Sequence, residues 1–260
     1  MCFDLDSRPP IPPLAGAAVD GERIHLKASD GASFLAFDAK ATTASGAGVV
    51  ILPDVRGCHR FYEELALRFA ERGIDAIAVD YFGRTADSDD RGEDFDYKPH
   101  IDQVKYENVV RDATAAVHHL NSRGDRHVFT IGFCFGGRLS FLGATWPEVE
   151  LSGVIGFYGW PAAGSGRGGS PSPTELATQF RAPVLGLFGG ADQGIPADVV
   201  EAFSAALSDA GVENDIVTYP DAPHSFFDRK AAEFQGASED AWTKVLQFIE
   251  RNAPLELLAA

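Results

Sequence analysis

Apolar positions along the chain fall into two patterns that take turns. Val49-Val50-Ile51-Leu52 is a continuous apolar run closed by Pro53, as expected of a strand buried on both faces. Next, Phe61, Leu65 and Phe69 recur at helical spacing over Phe61 to Arg72. Ile74 to Val79 reads as a strand, and Asp102 to Leu120 as a helix with Val109, Ala113, Val117 and Leu120 on one face. The alternation continues with strand His127–Gly132, helix Gly136–Trp146, strands Leu151–Phe157 and Pro183–Phe188, helix Pro196–Ala210, strand Asp215–Tyr219 and helix Glu239–Arg251. Pro196 stands where a helix start tolerates a missing N–H. Ahead of all these, Ile24-His25-Leu26-Lys27 and Phe34-Leu35-Ala36-Phe37 flank Asp30-Gly31 and read as a β-hairpin. The pattern predicts a single-domain α/β fold: a mostly parallel central sheet, helices on both faces and an N-terminal antiparallel hairpin. Its expected boundaries are an arm over 1–20 and the domain over 21–260.

Two segments break the rhythm. Gly83 to Pro99 is acidic and irregular, long enough for a functional loop or lid, and Ala162 to Pro173 is low in complexity and reads as flexible. The latter contains Gly164-x-Gly166-x-x-Gly169, a dinucleotide fingerprint as a string. The fingerprint needs a strand before it and a helix after it, and Ser-Pro-Ser-Pro follows instead. No cofactor is expected. The net charge of −16 and the lack of Lys/Arg clusters argue against a nucleic-acid partner. The start of the chain, MCFDLDSRPPIPP, lacks the basic and apolar regions of a signal peptide, and no run reaches the roughly 18 apolar residues of a membrane span. Cys2, Cys58 and Cys134 are sparse and odd in number, which suits free thiols in the cytoplasm.

Candidate chemistry concentrates at Gly132-Phe133-Cys134-Phe135-Gly136-Gly137, between a predicted strand and a predicted helix. This is the nucleophile-elbow pattern with Cys in the Ser position. A turn so tight strains the central residue and leaves no room for flanking side chains. In return it exposes the thiol at a helix N-terminus, where unpaired N–H groups favour the thiolate. A thiol nucleophile needs a base, and the base a carboxylate to orient it. Gly189-Gly190-Ala191-Asp192 follows one strand and Pro220-Asp221-Ala222-Pro223-His224 follows another, so Asp192 and His224 fall at the sheet edge that carries Cys134. His25, His100, His118, His119 and His127 lie within or beside predicted elements or the acidic loop and read as surface or core residues. The adjacent Cys58 and His59 seldom could point the same way. No metal-binding spacing is present.

From about Gly21 onward the chain resembles the dienelactone hydrolase family. The carrying segments are LPDVRG (52–57), VDYFGR (79–84), GFCFGG (132–137), FGGADQGIP (188–196) and YPDAPHSFF (219–227). The resemblance implies Cys134 as nucleophile, His224 as base and Asp192 as its orienter, with an oxyanion hole formed by the N–H groups of Val55 and Phe135. It also implies that Asp54 stands where the family has a thiol-controlling Glu, and that Arg84 matches an arginine that binds the substrate carboxylate. At the family's second carboxylate-binding arginine this chain has Asp228, with Arg229 one residue on. Tyr158 and Trp160 end a strand at the same edge and could line the pocket or finish the core. The expected function is hydrolysis of a carboxylic ester or lactone through an acyl-enzyme, on a small-molecule substrate, by a monomer or small homo-oligomer. A broad esterase or thioesterase, a dehalogenating hydrolase and a non-catalytic ligand-binding relative are the alternatives.

Overall fold

The apolar run at 49–52 lies at the centre of an eight-stranded sheet. The computed structural model describes residues 7–15, 19–92, 94–124, 126–164 and 166–253. The strands are β1 (Val19–Lys27), β2 (Ser33–Ala41), β3 (Ala47–Leu52), β4 (Asp75–Val79), β5 (His127–Phe133), β6 (Gly153–Phe157), β7 (Val184–Gly189) and β8 (Asn214–Tyr219). They lie in the order β1-β2-β4-β3-β5-β6-β7-β8. The hairpin pairs antiparallel, and β2 joins β4 antiparallel. From β4 to β8 every pairing is parallel. Strands β3 to β7 are buried apart from His127 at the start of β5, which is why they read as apolar runs rather than alternations, whereas edge strand β8 is only partly covered.

The helices are α1 (Arg60–Ala70), α2 (Lys98–Ile101), α3 (Tyr106–Asn121), α4 (Phe135–Gly143), α5 (Ala197–Asp209) and α6 (Gln235–Asn252). The helix expected from Asp102 starts later, at Tyr106, and a separate short helix, α2, ends at Ile101 ahead of it; the predicted face of Val109, Ala113, Val117 and Leu120 is buried as anticipated. Helix α4 stops at Gly143, short of Trp146, and α6 begins at Gln235, a turn before Glu239. No helix among the described residues is long and apolar enough to cross a membrane.

Both irregular segments are fastened. Within the acidic loop, Arg91 is buried and donates to both carboxylate oxygens of Asp80, at 3.1 and 2.8 Å. Its guanidinium lies over Phe95 and Phe82, with His100 stacked on Phe95 from beyond the loop. Asp80 in turn accepts the N–H groups of Cys58 and Phe82, so one carboxylate ties the loop to the start of α1. The low-complexity segment, expected to be flexible, is instead held by Arg138, as set out below. Of the N-terminal arm, Arg8 pairs with Glu64 and the Leu14 N–H donates to Glu71, which lays the described part along α1. Cys2 lies outside the described residues.

Candidate active site

Cys134 follows β5 and caps α4, with φ 55° and ψ −111°, a conformation costly for a side-chain-bearing residue. The glycines around it explain how the turn closes. A Cβ on Gly132 would sit 1.9 Å from the Gly136 carbonyl oxygen, and one on Gly136 would sit 2.0 Å from that of Leu52. The backbone of α4 therefore packs directly against the ends of β3 and β5. The Cys134 N–H donates to Phe157 and its carbonyl accepts the Arg138 N–H, which locks the junction from both sides. Cys134 is half-buried, whereas Cys58 is buried and its thiol is pushed well above the usual range by burial and by Asp80.

Asp192 follows β7 and His224 follows β8, as the chain order requires. The His224 Nδ1 is 2.6 Å from Asp192 Oδ2, and the Gly194 N–H donates to the other oxygen at 2.8 Å. The carboxylate only accepts, so it holds the Nδ1–H tautomer and leaves Nε2 as the basic nitrogen. Asp192 is buried while His224 is half-exposed, which orients the imidazole from the protein side. Cys134 and His224 line one cavity of ≈ 230 Å³ together with Val55, Phe135 and Tyr158. Phe135 is the first residue of α4, so its N–H has no acceptor within the helix.

Tyr158 also has a positive φ, 38°, and its ring lies against that of His224 with centroids 4.8 Å apart. Its hydroxyl donates to Asp228 at 2.8 Å. Asp228 also accepts the N–H of Arg229. Burial pushes the Asp228 carboxyl up to about 7, a rise that these two donors oppose. Asp54 is fully buried, with the Arg56 N–H on one oxygen and no hydrogen-bond partner on the other. Burial, opposed by the Arg56 N–H and reinforced by the charge of Asp228, raises it to about 8. Two acids with raised values thus flank this sheet edge, Asp54 before Val55 and Asp228 beneath Tyr158.

Neither arginine expected at the substrate reaches the cavity lining. Arg84 grips both oxygens of Asp112, at 2.8 and 2.5 Å, and both of Asp30, each at 3.0 Å. It thereby clamps α3 to the hairpin turn, because two carboxylates already surround it on those elements. Arg229 faces a separate cleft beside Arg8, Asp228 and Gln235. The cavity is lined instead by Arg138, Trp160, Arg167, Gly194 and Ile195. Sequence reasoning passed over the two arginines. Arg138 stands one helical turn after Cys134, a spacing that could have flagged it, whereas Arg167 lies in a segment without periodicity.

Comparison with known proteins gives the family and the fold. A family described as "Dienelactone hydrolase family" matches residues 34–253. A Salmonella typhimurium protein named "Putative carboxymethylenebutenolidase" is 30% identical over 229 residues, spanning 85% of this chain and 83% of that protein. Among solved structures, a Klebsiella pneumoniae protein described as a "Putative Dienelactone Hydrolase" superposes with a TM-score of 0.76 at 27% identity, covering 89% of this chain and 98% of the other. A thermophilic esterase from Thermogutta terrifontis shares the fold at 19% identity, with a TM-score of 0.70 over 95% of this chain and 98% of its own.

Proposed function

Given that this chain belongs to the dienelactone hydrolase family and is a hydrolase of ester bonds, we propose that it cleaves a carboxylic ester or lactone through a thioester on Cys134. The observation that carries this reading is the strained Cys134 at the head of α4, sharing a cavity with a His224 whose Nδ1 is held by Asp192. His224 takes the thiol proton as Sγ bonds to the carbonyl carbon, and the oxyanion rests against the N–H groups of Val55 and Phe135. The C–O bond then breaks, and the alcohol or ring oxygen leaves with the proton from the imidazolium. A water molecule, deprotonated by His224, attacks the thioester. The C–S bond breaks, the acid departs and the thiol regains its proton. Asp54 takes the thiol-controlling place that the family resemblance suggests, and Tyr158, in the cavity lining, contacts the substrate. The free thiols fit a cytoplasmic enzyme, and the small cavity fits a small-molecule substrate served by a monomer or small homo-oligomer.

Near-stoichiometric iodoacetamide should alkylate Cys134 ahead of Cys58 and Cys2 and abolish hydrolysis of 4-nitrophenyl esters. Acid-quenched samples should also carry the acyl group on the Cys134 peptide in mass spectra. Full activity with Cys134 completely alkylated would refute the mechanism.

A further inference from the structure

We infer that the cavity beside Cys134 selects a compact, uncharged acyl group, an inference that rests on the ester-hydrolase reading and narrows its substrate class. Most of the wall is apolar or aromatic: Val55, Phe135, Tyr158, Trp160 and Ile195. At ≈ 230 Å³ the space falls below the roughly 300–1,000 Å³ typical of sites for larger ligands, so the group that enters is small.

Two cations line this wall, and an acid group would have to be held by one of them. Arg138 cannot hold it. A guanidinium has five N–H bonds, and here each has an acceptor. Nε donates to the Ser170 hydroxyl at 2.9 Å. Nη1 donates to the carbonyls of Trp160 and Ala162 at 2.8 and 2.7 Å. Nη2 donates to those of Ser170 and Pro171 at 3.2 and 2.6 Å. The side chain is a hub that folds residues 160–171 into a wall, and a carboxylate could reach it only by taking that wall apart. Arg167 sits at the mouth, 44% exposed and paired with Asp102, itself 70% exposed. An anion there would compete with a carboxylate already in place, in a solvent-screened position worth little. Arg84, clamped by Asp112 and Asp30, brings no further charge. A net charge of −16 adds long-range repulsion of anions. The carboxyl-bearing butenolide described by the relatives' name therefore fits this cavity worse than a neutral ester or lactone of similar size.

The test compares two esters of matched shape, 4-nitrophenyl 5-methylhexanoate and 4-nitrophenyl hydrogen glutarate, with spontaneous hydrolysis subtracted. The neutral ester should have the higher kcat/KM by about a hundredfold or more, because the buried carboxylate finds no partner. Equal values, or a preference for the anion, would overturn the inference. Calorimetric titration of both esters into Cys134→Ala separates selection from chemistry. If neither ester is turned over but the neutral one still binds more tightly, the proposed mechanism fails and the selectivity stands. Equal binding overturns the selectivity. Arg138→Met should lower kcat/KM for both esters, by at least about tenfold, as the 160–171 wall loosens. A loss confined to the anionic ester would show that the guanidinium binds the carboxylate and would also overturn it.

Discussion

Replacing Asp54 by Asn should flatten the dependence of stability on pH, and the size of the change follows from how this carboxyl is buried. Asp54 is completely enclosed, one oxygen takes the Arg56 N–H and the other has no partner, with Asp228 close enough to repel it. Its value rises from 3.8 to about 8 on folding, mainly through burial. A folded value above the unfolded one means that the native state holds the extra proton. The resulting stability is complete below about pH 4, declines as pH rises and is gone above about pH 8. Across that window one proton is worth about 1.36 kcal/mol per pH unit. Asn cannot titrate, so the slopes of wild type and Asp54→Asn should differ by up to about 1.4 kcal/mol per unit between pH 5 and pH 7, a gap growing by roughly 3 kcal/mol in all. Any hydrogen-bond mismatch of the new amide shifts the whole curve without changing its slope. Urea unfolding at pH 5, 6, 7 and 8, with the m-value checked for constancy, reads the difference directly. Parallel pH profiles for the two proteins would refute the protonated state of Asp54.

Two further substitutions probe separate parts of the molecule. Asp192→Asn removes the acceptor that fixes the His224 tautomer, so kcat for 4-nitrophenyl esters should fall by about a thousandfold or more with the thermal midpoint little changed. A near-native kcat would place the base elsewhere. Arg91→Met leaves Asp80 buried without its cation, and thermal unfolding should show a loss of about 3–5 kcal/mol. An unchanged midpoint would mean that the loop is not fastened through this pair.

The architecture was legible because burial on both faces writes itself into β3 to β7 as largely apolar runs, with helical segments after β3, β4, β5 and β7. The candidate residues were placeable for a related reason: strand ends are easy to locate, and Cys134, Asp192 and His224 each stand just beyond one. What stayed hidden depends on partners distant in sequence. Arg84 looked available because its two carboxylates, Asp30 and Asp112, lie 54 and 28 residues away, in the hairpin turn and in α3. Arg138 looked like an ordinary helix residue because four of its five acceptors are backbone carbonyls, which carry no sequence signature. The segment 162–173 has the composition of free chain, yet the guanidinium that orders it belongs to a helix that ends near Gly143. The late start of α3 was missed because residues 102–105, Asp-Gln-Val-Lys, contain no Gly or Pro to mark a boundary.

The anchoring of residues 83–99 bears on the tempo of turnover. A strip of chain with this many acidic side chains invites a picture of a cover that lifts to admit substrate and lifts again to release acid. Arg91 rivets it to Asp80 with its guanidinium against two aromatic rings, so opening would require pulling a buried cation away from a buried anion. With that strip a fixture, molecules enter and leave through a mouth whose rim does not swing on this side. Turnover paced by bond making and breaking at the carbonyl carbon, not by this strip, is the expected consequence, and added sucrose should then slow kcat little.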